Sequence, residues 1–437
     1  MADGTPVMVR TVAITLVAFG AHLCECAGFA YLPPMLLKAG FTQQAVSVLL
    51  GCGPLLCLFL VPLLGAWSDA CARRRPFLLV LGVLIMTSLT ALAFSDTFEP
   101  GLKKKVLIAT ATVVLDFASQ AILNPCQALV SDISGGLGFP LYSGMLSLGG
   151  VLGYLFSAVH WTVSQERCVF LVLLLVFSIC LTIGVANVSD ARSFLGKDTE
   201  SQKETVIPWP HHVLPLAGAM RRLFTFHLLA WMAVMSHYFY FTDFTAEVVY
   251  GATADSTVSF DEGVRTGSWG LLLTCVTASL YSLLAQQGID LRSGPRIGLM
   301  LGMGSFAVAM AGLTVGRGIT TALLLSGLAG IASAVLECIP YSLASQYCAS
   351  REEYFQDISR KHGIGECLAV LDGAEYLAQV LLSLFMGYMF HLTATVASYA
   401  IVAFSCALAA CYAATFVVYP IRLHSSSAYI DRTSMKQ

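Results

Sequence analysis

Gly65-Ala66-Trp67-Ser68-Asp69-Ala70-Cys71-Ala72-Arg73-Arg74-Arg75-Pro76-Phe77 is a polar interruption between two apolar runs, 44–64 and 77–95. Each run is long enough to cross a hydrocarbon core about 30 Å thick. Three consecutive arginines between two such runs mark a short loop at a membrane surface. The pattern repeats along the chain. Of 437 residues, 57% are hydrophobic and 11% are charged, and the mean hydropathy is +0.76. A soluble domain carries roughly a quarter charged residues. The sequence is therefore read as an all-α polytopic membrane protein.

Twelve apolar segments are expected to span: 10–32, 44–64, 77–95, 106–129, 140–160, 168–187, 223–243, 266–285, 297–316, 319–345, 366–388 and 395–418. The first is too long for the apolar part of a signal peptide and is read as retained. A polar stretch containing Ser189-Asp190-Ala191-Arg192 divides the segments six and six. The expected organisation is a six-helix half at 1–187, a cytoplasmic central loop at 188–222, a second half at 223–418 and a cytoplasmic tail at 419–437. Placing the N-terminus in the cytoplasm puts Arg73, Arg74, Arg75, Arg192, Arg221 and Arg222 inside, as the positive-inside rule requires. Lys103, Lys104 and Lys105 fall outside and are expected to reach lipid headgroups. The sequon Asn187-Val188-Ser189 falls inside and is expected to be unglycosylated.

Six plus six around a long loop is the arrangement of the major facilitator fold. The Gly-x-x-x-Asp-x-x-x-Arg spacing of Gly65, Asp69 and Arg73 resembles the signature loop of those transporters. The small residue lets two helix ends approach, and Asp69 can pair with an arginine or cap a neighbouring helix N-terminus. A gate is expected here, formed by Gly65, Asp69, Arg73, Arg74, Arg75 and Asp132.

The resemblance narrows with further segments. GAWSDACARRRPF (65–77), LDFASQAILNPCQALVSD (115–132), FTDFTAEVVYG (241–251), FDEGVRTGSWGLLL (260–273), IPYSLAS (339–345) and LFMG (384–387) are together similar to solute carrier family 45 and the plant proton–sucrose symporters. Where the plant proteins carry two arginines, this chain has Gln127 and Glu247. The resemblance implies transport of a neutral sugar coupled to a proton. It implies proton coupling at Asp116 and functional roles at Asp243 and Asp372, which match the family pattern.

A charged residue inside the bilayer costs ~2.5–3.5 kcal/mol even on an insertion scale. His22, Glu25, Asp116, His227, His237, Asp243, Glu337, Asp372 and Glu375 are thus all functional candidates, and no Lys or Arg lies deep in a segment. Carboxyls without cationic partners can bind and release protons or accept hydrogen bonds from sugar hydroxyls. Glu25, Asp116, Asp243 and Asp372 are the expected proton-coupling residues, and Glu25, Gln120, Asn124 and Gln127 the expected substrate contacts. Asp116, Gln120 and Asn124 recur every four residues on one helical stripe, and amides both donate and accept. Glu25 is expected to face Asp243 across the two halves.

In His22-Leu23-Cys24-Glu25-Cys26, His22, Glu25 and Cys26 share a helix face while Cys24 points away. No metal site or cofactor is expected; the 14 cysteines are read mainly as packing residues. Net charge is −2, which gives no reason to expect a nucleic-acid partner. No nucleophile triad or phosphate loop argues for an enzyme. Two other readings stay open: a non-transporting sensor or scaffold of the same fold, and a metal-ion carrier built on the His22–Cys26 cluster. The expected location is a multi-pass membrane protein, in the plasma membrane rather than an organelle, with oligomeric state open.

Overall fold

The computed structural model describes residues 7–71, 73–99, 101–158, 165–187, 218–251, 257–286, 294–350, 354, 363–393 and 395–419. Thirteen α-helices occur among them: α1 (Val7–Lys38), α2 (Gln43–Cys71), α3 (Arg75–Ala93), α4 (Leu102–Ala121), α5 (Leu123–Ser134), α6 (Phe139–Ala158), α7 (Gln165–Asn187), α8 (Gly218–Phe244), α9 (Thr257–Gln286), α10 (Pro295–Val315), α11 (Ile319–Ala349), α12 (Ile364–Thr393) and α13 (Ser398–Ala414). Each of the twelve expected segments falls on a helix. Most of the central loop, the sequon's Val188 and Ser189, residues 287–293 and the tail beyond Tyr419 lie outside the described residues.

Thirteen helices make twelve passes because the fourth pass is broken. Pro125 lacks an N–H and its ring would meet the carbonyl of Ala121, one turn earlier. The chain accordingly ends α4 at Ala121 and restarts at Leu123. α2 and α11 absorb Pro54, Pro62 and Pro340 without stopping. α8 is long enough to cross but carries His227, Trp231, His237, Tyr238, Tyr240 and Asp243, and is not among the strongly apolar spans. After α8, a wide turn at Thr245–Val249 ends the pass, pinned by Thr245 Oγ1 donating to the Gly263 carbonyl at 2.9 Å.

Without water to drive helices together in lipid, close packing must do so, and small residues permit it. On α6, Gly149 rests on the Phe19 carbonyl of α1, and Gly153 rests on Cys26. A methyl at either would come within 2.4 and 2.5 Å of them. The outward faces carry the opposite character: Leu55, Phe59, Val83, Leu175, Leu280, Leu324 and Leu384 are exposed, as lipid contact requires.

Two seams run along the molecule, α6 against α9 and α2 against α12. At one end, Lys104 bonds Asp96 at 3.1 Å, and Lys105 donates to the Gly40 carbonyl at 2.9 Å while lying over Phe41. Two of the three lysines expected at lipid headgroups therefore tie α4 to neighbouring loops; Lys103 is exposed.

Gly149→Leu is expected to cost about 1–3 kcal/mol by overpacking the α1–α6 contact. Thermal unfolding of the purified protein in detergent checks it, with Gly51→Ala, where a methyl meets nothing within 4 Å, unchanged.

Candidate functional site

The loop between α2 and α3 builds a charged clamp. Arg74, 7% exposed, turns inward. It donates through Nη2 to Asp69 Oδ1 at 2.7 Å, through Nε to Asp132 Oδ2 at 2.9 Å and through Nη1 to Ser68 Oγ at 2.8 Å. Burial works against its charge, but Asp69 and Asp132 outweigh that and hold its pKa above the ordinary arginine value. Asp69 also caps α12, accepting the backbone N–H groups of Gly365 at 3.2 Å and Glu366 at 2.9 Å. Carboxylate charge is favoured at a helix N-terminus. Gly65 makes the approach possible, because a methyl there would lie 2.7 Å from the Gly365 carbonyl oxygen. Ion pair and helix cap, both anticipated for Asp69, are made together. Arg73 and Arg75 are exposed and take no part.

Below the clamp, polar links cross between helices. Ser131 on α5 meets Ser345 on α11 at 2.7 Å. Asn124 Nδ2 donates to Asp372 Oδ2 at 3.0 Å and to the Gly365 carbonyl at 3.3 Å. Tyr341 donates to Asp372 Oδ1 at 2.9 Å, so both carboxyl oxygens are held. Glu337 Oε2 accepts from Ser143 at 2.9 Å and from Ser147 at 3.4 Å. The clamp and these links tie α2, α5 and α6 to α11 and α12.

Asp116 sits on the other side of the break. Gln120 Nε2 donates to its Oδ1 at 2.8 Å. Its Oδ2 packs against Gly53 of α2, where a methyl would come within 1.9 Å. Asp116 Oδ2, Gln120 Oε1, Asn124 Oδ1 and Gln127 Oε1 are buried without a hydrogen-bond partner among the described residues. Each amide N–H faces an oxygen acceptor in Gln120 and Asn124, which fixes the amide orientation and leaves the oxygens as free acceptors.

The residues of the expected stripe, Asp116, Gln120 and Asn124, are all buried. Gln120 bonds Asp116, whereas Asn124 bonds Asp372 of α12. Glu25 does not face Asp243. The charged neighbours of Glu25 are His22, Asp116, Glu337 and Glu375, while Asp243 lies with Tyr240 and Glu247 beside the turn that ends α8. His22 Nδ1 lies 3.4 Å from Glu25 Oε2 and its Nε2 lies 3.5 Å from Cys26 Sγ, the i,i+3 and i,i+4 contacts expected on that face. Among the described residues no group of three or more His, Cys, Asp or Glu could hold a metal ion. His227 and His237 are buried with internal partners: Trp231 donates to His227 at 2.8 Å, and His237 meets Ser326 at 3.0 Å.

Sequence reasoning passed over Tyr341, Ser143, Ser147 and the seat at Gly53. Ser143 and Ser147 were visible as an i,i+4 polar pair in an apolar segment, and Tyr341 lies inside IPYSLAS. It also missed Arg10, which is buried near the start of α1.

Arg74→Gln strips the counter-charge from Asp69 and Asp132 and is expected to speed amide hydrogen exchange at Gly365 and Glu366 at least several-fold. Arg73→Gln is expected to leave those amides at the wild-type rate. Exchange read by mass spectrometry on the full chain in lipid nanodiscs separates the two.

The sequence model described as Major Facilitator Superfamily matches residues 14–355. Solute carrier family 45 member 3 of Macaca fascicularis is 27% identical, covering 93% of this chain and 95% of its own. A sucrose transport protein of Oryza sativa subsp. japonica is 24% identical over 86% of this chain and 81% of its own. Among solved structures, a human organic anion transporter superposes with TM-score 0.68 at 16% identity, covering 94% of this chain and all of its own. A proton:xylose symporter superposes with TM-score 0.65 at 13% identity, covering 94% of this chain and 95% of its own. At these identities the structural likeness speaks for the fold alone. With twelve helical passes, the arginine-loop clamp and a family match over most of its length, the chain belongs to the Major Facilitator Superfamily.

Proposed function

We propose that this protein is a secondary transporter that carries a neutral sugar together with a proton by alternating access, its two halves lying before and after the central loop. The observation that carries the reading is the chemistry of the interior. It is built from carboxyls and amides, and Arg10 and Arg74, both near helix ends, are the only buried Lys or Arg side chains among the described residues. An organic anion would meet uncompensated acidic groups there. A polyhydroxylated solute would bring hydroxyl donors to Gln120, Asn124, Gln127 and Glu25. Similarity to solute carrier family 45 and to a sucrose transport protein supports the sugar class.

In the cycle, the side bearing Gly65, Asp69, Arg74 and Asp132 is cytoplasmic and shut, and sugar and proton arrive from the opposite side. Asp116 takes the coupling proton. Its free Oδ2 against Gly53 is an uncompensated acceptor in a low-dielectric site, where the charged form is costly. Asp372 reads the same signal at the closed seam. As a carboxylate it holds Asn124 and Tyr341 by charge-assisted bonds, which are roughly twice as strong as neutral ones. Protonation weakens that hold, and α12 can part from α5. Asp243, half-buried at the outer end of α8, is the first acid a proton from outside would meet. The arginine distribution supports cytoplasmic termini, and the plasma membrane is the proposed location.

Uptake of labelled sucrose and glucose into vesicles carrying the purified protein tests the reading. An inward proton gradient is expected to drive accumulation above the ungraded level. Asp116→Asn is expected to lose the gradient-driven part while still exchanging sugar across the membrane. Equal uptake with and without the gradient, or no flux of either sugar, contradicts it.

A further inference from the structure

Glu337 is 8% exposed at the middle of α11, and the cycle above gives it no task. Its surroundings are specific. Ser143 and Ser147 lie one turn apart on α6, and both give their hydroxyl protons to the same oxygen, Oε2. Ser143 lies 2.9 Å from Ser282 of α9 as well. A serine has one proton to donate, so with that proton on Glu337 the Ser143 oxygen accepts from Ser282. The result is a directed chain, Ser282 to Ser143 to Glu337, that links α9, α6 and α11. Helix α6 precedes the central loop and α9 and α11 follow it, so the chain bridges the two halves. No Lys or Arg takes part.

The link at Asp372 has the same form. Its carboxyl comes from a helix after the central loop, and the neutral donor reaching it across the halves, Asn124, comes from a helix before it. We propose that Glu337 is a second proton-sensitive clasp, a positioning residue whose carboxylate holds α11 against α6 through Ser143 and Ser147 and whose protonation releases the arginine-loop side to open. The proposal rests on the alternating-access reading for its purpose and on the serine geometry for its existence.

The groups that face Glu337 set what the clasp responds to. From α1 they are His22 and Glu25; from α6, Tyr142; from α8, Tyr238; from α9, Cys275; and from α12, Glu375. His22 is the one base among them and favours the carboxylate when it is charged. Glu25 and Glu375 disfavour it. A proton arriving on Glu337 leaves the serines with a neutral acceptor, and the charge-assisted component of both bonds is lost.

The test uses the full chain in lipid nanodiscs at neutral pH and reads amide exchange at Gly365 and Glu366, whose hydrogen bonds exist only while Asp69 caps α12. Glu337→Gln keeps the size and an acceptor oxygen but removes the charge, and is expected to speed exchange there several-fold. Ser143→Ala with Ser147→Ala removes the donors by an independent route and is expected to do the same. Wild-type exchange in Glu337→Gln overturns the clasp. So does faster exchange in Glu337→Gln with no change in the serine variant, because the serines would then not be its partners. Vesicle uptake of sugar by the wild-type protein fails or succeeds separately. A protein that moves no sugar yet opens in both variants keeps the clasp and loses the transport reading.

Discussion

A guanidinium held between two carboxylates at the membrane edge organises the closed side of this molecule. Arg74 cannot be left without counter-charge once buried, and Asp69 cannot serve it and α12 together unless α2 and α12 nearly touch. That forces the small residue at Gly65. Asp132 supplies the other carboxylate from the end of α5, so one side chain fixes the relative positions of α2, α3, α5 and α12. Breaking one partner of such a buried set costs far more than the set contributes when intact. The clamp therefore behaves as a unit, either assembled or hydrated and apart, which is what a two-position gate requires.

Deeper in the membrane the linking chemistry changes. Ser131 to Ser345, Asn124 to Asp372 and the two serines to Glu337 pair neutral donors with hydroxyl or carboxyl acceptors. A full ion pair at that depth would be hard to open in every cycle, because in a low-dielectric interior the attraction between unit charges greatly exceeds its value in water. A neutral donor on a carboxylate is strong enough to hold and is weakened by one proton. Opposite charges are thus paired at the edge, where water can replace the partner, and single carboxyls with neutral donors serve deeper in.

How much of this was legible depends on whether the information is local. The twelve passes followed from apolar length, and the clamp from the spacing of Gly65, Asp69 and the arginines. Which arginine turns inward did not follow, because Arg73, Arg74 and Arg75 differ only in rotation about the loop. The stripe through Asp116, Gln120 and Asn124 assumed one continuous helix. Pro125 was in plain view as the point where that pass divides, but that Asn124 would bond Asp372, 248 positions along the chain, was not a local property. The pairing of Glu25 with Asp243 rested on symmetry between halves, and symmetry does not specify the height at which two side chains sit. Ser143 and Ser147 acquire meaning only once α6 lies against α11, a contact nearly two hundred residues apart in sequence.

The break at Ile122 has a mechanical consequence that joins these parts. It divides the fourth pass into α4, which carries Asp116 and Gln120, and α5, which carries Asn124, Ser131 and Asp132. An unbroken helix would move both sets as one rod. Pro125 removes one bond of the ladder, the one to the Ala121 carbonyl, while Ile122 still donates to the Ala118 carbonyl at 3.1 Å. Helix α5 packs on α12 and the clamp, and α4 on α2 through Gly53 and through Cys57, whose thiol reaches the Phe117 carbonyl at 3.5 Å. The acid proposed to take the proton and the links proposed to open in response then sit on adjacent pieces of one span. The proposed coupling between them runs through Ile122 and through α2, which touches Asp116 near its middle and carries Asp69 near its end. The seat of Asp116 at Gly53 and the Asp69 cap on Gly365 and Glu366 then lie on one helix, α2, with Pro54 and Pro62 between them.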